Sequence, residues 1–378
     1  MEQQRIFYIA NIRFPTERAH GIQVAKMCEA FAQNGAKVTL LVPSRKTISD
    51  DPFSYYGIER NFEIERVPVP DVVKFGIVGF LIESFLFARR AAKRAKKETN
   101  AIVYTREELP LLFLPRQSAF YEAHQLRRSF FLRLLFKRAK GMISISQGLK
   151  DALVEAGYPK RKILVAHDGY DEKKFSVSAT KEEARKKLSL PEDKKIAMYI
   201  GGLEPWKGAE TLCKAATYLV KDDILTVIIG GTDEEVKRLQ PKYPCVRFLG
   251  ARPYRELPVN QQAADILVVP NSAMSEIGSR FTSPLKLFAH MASGVALATA
   301  NVPALKEVAL PTQAFMFLSD DPQNLADVIR RALSSECVSE RLSKAAEAKK
   351  RARDFTWDRR AKNVLAYMKS CLKQKESS

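Results

Sequence analysis

A chain of 378 residues with 46% apolar and 28% charged side chains is neither fibrous nor disordered, and it is long enough for two or three domains. Lys and Arg number 62 against 43 Asp and Glu; the formal charge of +19 selects no fold but predicts attraction to phosphates, nucleic acid or an acidic membrane face. The five cysteines, Cys28, Cys213, Cys245, Cys337 and Cys371, lie far apart without a CxxC, which argues against a disulfide scaffold or a clustered zinc site and suits a reducing compartment.

In chain order, residues 1–5 are polar and the apolar run after them is too short for a secretory leader. That run, Ile6 to Ala10, reads as a buried strand. Gly21 to Asn34 reads as a helix, with Val24, Met27, Cys28 and Phe31 at i, i+3, i+4 and i+7 and Gly35 placed to stop it. Strands are expected again at residues 36–42, 62–67, 101–104, 119–122 and 141–146. Between them, residues 72–88 come nearest to a membrane span, but they carry Lys74 and Glu83, so no spanning helix is expected. Largely apolar strands separated by helices imply a parallel sheet covered on both faces. Residues 176–194 read as a linker with a short helix. A second cycle follows: Lys195 to Gly202 and Ile224 to Gly231 are strands ending in glycine turns, and Ala264 to Pro270 is a third strand. The fold class is α/β, with two Rossmann-like, doubly wound domains facing a cleft. Residues 1–175 would form the first domain, 195–354 the second, and 355–378 a closing helix that crosses back.

Five places carry candidate chemistry. At Gly201, Gly202 and Lys207, glycines permit close backbone approach, a helix start offers free N–H groups and the lysine adds charge, a combination suited to a diphosphate. An ordinary strand-to-helix turn accounts for the glycines equally well. At Ser283, Pro284 and Leu285 a helix is expected to begin with Ser283 as N-cap, and its N-terminus would attract an anion. A plain capped helix explains the same residues. His20, Gly21 and Gln23 sit in a glycine loop opening the first helix. Glu122 and His124 lie at the end of a strand. His167 and Asp168 begin a turn followed by Phe175.

At these residues the chain resembles the family 4 glycosyltransferases, which have the GT-B architecture and retain anomeric configuration. The matching pieces run in family order: Pro15 to Val24, Val103-Tyr-Thr-Arg106-Glu, Tyr121-Glu-Ala-His124, Ile143 to Leu149, His167 to Asp171, Tyr199 to Gly208, Val246 to Gly250, Ala264 to Pro270, Thr282 to Phe288 with Met291 to Gly294, and Phe355-Thr-Trp. The resemblance implies a nucleotide-sugar donor held mainly by the second domain. Lys207 would neutralise the diphosphate and act in catalysis. The amides at Gly201, Gly202 and Ser283 to Leu285 would bind phosphate oxygens, Lys286 would join them, and Gly21 would let the first-domain loop approach. His124 would act in catalysis, contacting the transferred sugar or sitting near the reacting carbon, and His20, Arg106, Glu122 and Asp168 would contact sugar or acceptor. The resemblance further implies metal-independent chemistry and no cofactor. Charge aimed at the leaving diphosphate lowers the barrier to its departure.

Two positions depart from the family pattern. Its Glu-x7-Glu pair falls on Phe281 and Ala289, and the second Glu would contact the donor ribose. Gly202 stands where many members have Arg. Glu276 or Lys286 could compensate.

Large apolar residues from Phe75 to Phe87, followed by six basic residues between Arg89 and Lys97, suit an anionic membrane surface; a core helix with a solvated basic end would read the same way. Arg127, Arg128, Phe130, Phe131, Arg133, Lys137 and Arg138 form a second mixed set. The resulting expectation is a cytoplasmic transferase, peripheral on the inner face of the plasma membrane, that adds sugar to a glycan or lipid-linked acceptor in cell-envelope polysaccharide or glycolipid synthesis. The alternative is a divergent, non-catalytic binder of nucleotide sugars that partners another glycosyltransferase. No specific nucleic-acid motif is present.

Overall fold

The computed structural model describes residues 3–373 apart from 50, 99, 116–117, 127–133 and 177–178. The chain divides into two compact units, Met1–His167 with Trp357–Ser378, and Asp168–Thr356.

The first unit is built on a seven-stranded sheet in the order β3-β2-β1-β4-β5-β6-β7. Its strands are β1 (Arg5–Ile9), β2 (Lys37–Pro43), β3 (Glu63–Val67), β4 (Ile102–Thr105), β5 (Ala119–Ala123), β6 (Gly141–Ser144) and β7 (Ile163–Val165). Every pairing is parallel, with Phe7 opposite both Thr39 and Val103. The chain winds outward from β1 to β3 and returns beside β1 as β4, so the order reverses between those two strands. Such reversals open a crevice at the carboxyl ends of a doubly wound sheet. The helix Ala19–Gln33 buries Val24, Met27, Cys28 and Phe31, the stripe that its spacing predicts. It starts earlier than that spacing indicates, so His20 and Gly21 lie in its first turn and not in a glycine loop. Packing explains Gly21: a Cβ there would run into the Tyr56 hydroxyl and the Thr16 methyl. Tyr56 fixes this entry by accepting from the Thr16 N–H (2.8 Å) and donating to its carbonyl (2.9 Å).

The helix Gly76–Ala95 buries Glu83, Phe87, Ala88, Ala91, Ala92 and Ala95. Its first half is different: Phe75, just before it, is 69% exposed and Ile77 is 76% exposed, and Val78, Leu81 and Ile82 are more than half exposed. Among the described residues, no helix is long and apolar enough to cross a membrane.

The second unit has a six-stranded sheet in the order β10-β9-β8-β11-β12-β13, again wholly parallel. Its strands are β8 (Lys195–Ile200), β9 (Ile224–Ile229), β10 (Val246–Phe248), β11 (Ile266–Val269), β12 (Ala296–Ala300) and β13 (Phe315–Phe317). Residues 176–194 contain the helix Lys181–Lys187, started by a capping box between Thr180 and Glu183. Buried Arg185 ties it to the sheet layer through Asp265 (2.7 Å) and the Ala263 carbonyl (3.1 Å).

The helix Trp357–Lys373 belongs to the first unit. Asp358 accepts from Asn34 at 2.9 Å, and the Tyr367 hydroxyl donates to the Lys162 carbonyl at 2.6 Å.

Candidate functional site

In the second unit, the candidates gather at the carboxyl end of β8. The strand stops at Ile200, and the Gly201 N–H donates to the Ile229 carbonyl at 2.9 Å. That amide belongs to the sheet and is not left for a phosphate, contrary to the expectation. The chain then turns through Gly202 into a short 3-10 segment, Pro205–Lys207. Gly208 follows at φ +70, where a Cβ would strike the Pro270 carbonyl. It is the left-handed joint from which the helix Ala209–Leu219 starts.

Two ammonium groups meet at this turn. Lys207 Nζ lies 2.7 Å from Glu204 Oε2. Lys286 reaches in from the helix Leu285–Ser293, donating to the Tyr199 hydroxyl at 3.0 Å and lying 4.3 Å from that ring's centroid. The Tyr199 hydroxyl in turn donates to the Gly202 carbonyl at 2.6 Å. A Cβ built on Gly202 would stand 2.7 Å from Lys207 Nζ, and one on Gly201 3.6 Å from Lys286 Cδ, so the glycines floor the space under both lysines. Burial and the neighbouring Lys207 push the Lys286 ammonium well below its usual range, against the pull of Glu204. Burial raises the Glu204 carboxyl, but the Lys207 hydrogen bond and the two lysine charges outweigh it and hold the group low. The site therefore sets the Lys207 ammonium and the Glu204 carboxylate beside a second lysine whose charge burial opposes, and a multiply charged anion entering there would favour the charged form of both lysines.

Ser283 does not cap the helix. The helix begins at Leu285 with Pro284 in the capping position and no side-chain bond there. The Ser283 hydroxyl instead accepts from the Asp168 N–H at 2.8 Å. Proline at the cap fixes the approach of the chain without supplying an acceptor. The first helical amides, at Leu285 and Lys286, have no partner inside the helix and stand at its positive end. Asp168 thus lies with the second unit's candidates. Phe281 and Ala289 are both buried and apolar, and the residue beside Ala289, His290, is buried 2.6 Å from Gln261. Glu276 is exposed.

In the first unit the remaining candidates share one buried network at the ends of β4 and β5. Glu122 is fully buried. It accepts from Gln23 at 2.5 Å, from the Tyr104 hydroxyl, and lies 2.6 Å from His124 Nε2 and 3.1 Å from Arg360. Arg106 joins through Gln23 Oε1 at 2.6 Å and reaches the His20 carbonyl at 3.4 Å. Burial raises the Glu122 carboxyl, but Arg360, His124 and Arg106 more than offset this and hold it well below the usual carboxylate range. Burial, then Arg106, pushes His124 down to about 4, and the same two causes bring His20 to about 4. Both imidazoles are neutral near pH 7. Arg360, Tyr104, Tyr199 and Glu204 were not singled out from sequence. Tyr199 and Glu204 stand inside the glycine motif itself, whereas nothing near Arg360 in the chain points to residue 122.

Arg127, Arg128, Phe130, Phe131 and Arg133 lie outside the described residues. Arg138 is tied to backbone, donating to the Leu111 carbonyl at 2.8 Å and the Leu114 carbonyl at 3.0 Å. Among the described residues, no group of three or more His, Cys, Asp or Glu is placed to hold a metal ion.

Comparisons with known proteins follow the two units. Residues 180–351 match the family model for glycosyl transferases group 1, and residues 21–174 match that for glycosyltransferase family 4. A D-inositol 3-phosphate glycosyltransferase from Corynebacterium urealyticum is 29% identical over 57% of this chain and 54% of its own length. One from Corynebacterium aurimucosum is 27% identical over 57% and 53%. The chain thus spans about half the length of these curated relatives. In fold it is similar to a sucrose-phosphate synthase from Thermosynechococcus elongatus (TM-score 0.79, 19% identity, 98% of this chain and 100% of that one). It is also similar to Anabaena HepE solved with UDP and glucose (TM-score 0.73, 16% identity, 98% and 100%). Each of these structures pairs two Rossmann-like halves in the GT-B arrangement, and this chain has that fold.

Proposed function

Starting from a chain that is GT-B glycosyltransferase in type by fold and by the family matches of both units, we propose that it moves a sugar from a nucleotide-sugar donor to a glycan or lipid-linked acceptor. The observation that carries this reading is the convergence of Lys207 and Lys286 on the Gly201–Gly202 turn, beside the open amides of the helix Leu285–Ser293. A diphosphate entering there exchanges its water for two ammonium groups and helix-end N–H donors. Those donors strengthen their hold as charge builds on the departing nucleoside diphosphate, which lowers the barrier to transfer. Anabaena HepE, similar in fold, was solved with UDP-glucose, which supports a nucleotide-sugar donor.

In this reading Glu204 marks the place of the anion and swings aside when the donor arrives. Lys207 stabilises the leaving diphosphate, and Lys286 supplies the second charge that Gly202 does not. Neutral His124, held by Glu122, offers a hydrogen bond to the transferred sugar, and His20, Arg106 and Asp168 serve sugar or acceptor. The proposed reaction retains anomeric configuration, uses no metal or cofactor and serves cell-envelope polysaccharide or glycolipid synthesis in the cytoplasm. The exposed apolar half of the helix Gly76–Ala95, followed by exposed Arg89, Arg90, Lys93, Lys96 and Lys97, supports seating on an anionic bilayer. Charge-reversing these five residues should abolish binding to phosphatidylglycerol vesicles; undiminished binding refutes the seat.

A thermal-shift panel of nucleoside diphosphates and nucleotide sugars tests the donor, because a ligand of the folded state raises Tm by mass action. One selective response, lost in Lys207→Ala, is expected; no response to any of them overturns the reading. Buried Phe281 and Ala289, where the family pattern has its two Glu, favour a second reading as a non-catalytic nucleotide-sugar binder. Donor hydrolysis by the purified chain decides against that reading.

A further inference from the structure

Glu122, near the end of β5, is the hub of the buried network in the first unit, and the groups around it dictate where its neighbours carry their protons. Arg106 has only N–H groups to give, so the Gln23 atom 2.6 Å from it is the amide oxygen, and the Gln23 NH2 is the group 2.5 Å from Glu122 Oε1. The Tyr104 hydroxyl donates to the other carboxylate oxygen. Arg360 lies 3.1 Å from that same oxygen, and its own Nε donates to the His167 carbonyl at 2.9 Å. A buried carboxylate beside a guanidinium and two further donors stays ionised, and an ionised carboxylate only accepts. His124 Nε2, 2.6 Å from Glu122 Oε1, is therefore the donor of that hydrogen bond. Burial opposes a second proton on the ring, and so do Arg106 and Arg360, because it would set a third cation around one carboxylate. The imidazole thus carries a single proton, on Nε2. Among the described residues its Nδ1 has no hydrogen-bond partner, and the side chain is 23% exposed.

We infer that Arg360 is a positioning residue: through Glu122 it holds His124 as the Nε2–H tautomer, with Nδ1 bare to accept a hydrogen bond from a hydroxyl of the transferred sugar. The inference rests on the transferase reading and deepens it by giving that hydrogen bond a direction. Which ring nitrogen is protonated is set by the bond the other partner makes, and here the partner is an acceptor whose charge a guanidinium sustains. The sugar hydroxyl must donate. A sugar with hydrogen or fluorine at that position has no proton to give, leaves Nδ1 unpaired and binds more weakly.

Nitrogen NMR of the full chain, with its four histidines labelled and the His124 signals identified by their loss in His124→Ala, reads the tautomer without any substrate. Near neutral pH the parent should show a protonated Nε2 and a bare Nδ1. Glu122→Gln keeps the shape and removes the charge. Arg360, which cannot accept, draws the new amide oxygen to its own side and turns the NH2 toward His124, so the proton should move to Nδ1. Arg360→Met removes one of the two guanidiniums that oppose a second proton, so His124 should take it at a higher pH than the parent's, about 4, and Arg360→Lys should restore the parent's value. The charged and titratable groups around the ring are Glu122 from β5, Arg106 just past β4, His20 from the helix Ala19–Gln33 and Arg360 from the helix Trp357–Lys373. An ion pair that served stability alone would lower Tm in these variants and leave the His124 signals in place. A parent proton on Nδ1, a tautomer unchanged in Glu122→Gln, or a His124 titration unchanged in folded Arg360→Met overturns the inference. If Arg360→Met fails to fold, the parent and Glu122→Gln decide. Silence in the donor panel would overturn the transferase reading and leave the tautomer standing.

Discussion

Lys207 and Lys286 serve one anion but stand differently toward the fold. Lys207 is paired with Glu204, so Lys207→Ala should cost little stability and most of the transfer activity; equal loss of both would contradict its role. Lys286 is half-buried, and burial and Lys207 hold its ammonium against its preference. Lys286→Met keeps the methylene stem and removes the desolvated charge. Its Tm should stay level or rise while donor affinity falls about tenfold, one charge-assisted bond. A falling Tm with unchanged affinity would make Lys286 structural. In the other unit, Arg360→Met strands Glu122 as a buried charge and should cost about 3–5 kcal/mol, read by urea unfolding. The histidines set the acid side. His20 and His124 are pushed down to about 4 by burial, then Arg106, and His290 to about 3 by burial, then Lys286. In the unfolded chain they titrate near ~6.5, so below that pH the unfolded state binds more protons. Tm should hold above about pH 6.5 and fall from there toward pH 4. A flat profile through that window would show that these imidazoles are not buried neutral.

At the scale of elements, Gly208 is the joint between the phosphate turn and its helix. Gly208→Ala combines a strained left-handed φ with a clash on the Pro270 carbonyl and should cost more than about 1 kcal/mol, visible as a lowered Tm. A neutral substitution would mean that the turn relaxes freely. Strands β1, β2, β8, β9 and β11 were legible because both faces are covered and their side chains form unbroken apolar runs. β7, β10 and β13 were not: three residues each carry too little periodicity. β12 reads Ala-Leu-Ala-Thr-Ala, a composition that favours no strand, and only its neighbours β11 and β13 make it one. The cap at Ser283 failed for a related reason, since its hydroxyl is engaged by Asp168, 115 residues away. Local rules see what a residue offers its own element and miss a partner from a distant one. The glycine turn and Glu122 with His124 were visible as motifs, whereas Arg360 was reachable only through the folded topology.

At the scale of the molecule, the first unit is assembled from two stretches of chain with the whole second unit between them. Deleting residues 357–378 should therefore damage the first unit selectively. It removes Arg360 from Glu122 and Tyr367 from Lys162, and leaves the Asp168–Thr356 unit its own core. Hydrogen exchange should show lost protection in β4 to β6 and retained protection in β8, β9 and β11. Loss in both sheets would show that the units fold as one.

The ion pair between Arg360 and Glu122 also fixes an order of events during synthesis. Residue 122 leaves the ribosome long before residue 360, at about 5–20 residues per second. For that interval of roughly ten seconds or more the carboxylate has no guanidinium, so the amino-terminal half waits in an unfinished form while the half made after it completes its own sheet. The pair closes only once Arg360 has itself emerged from the ribosome and reached Glu122.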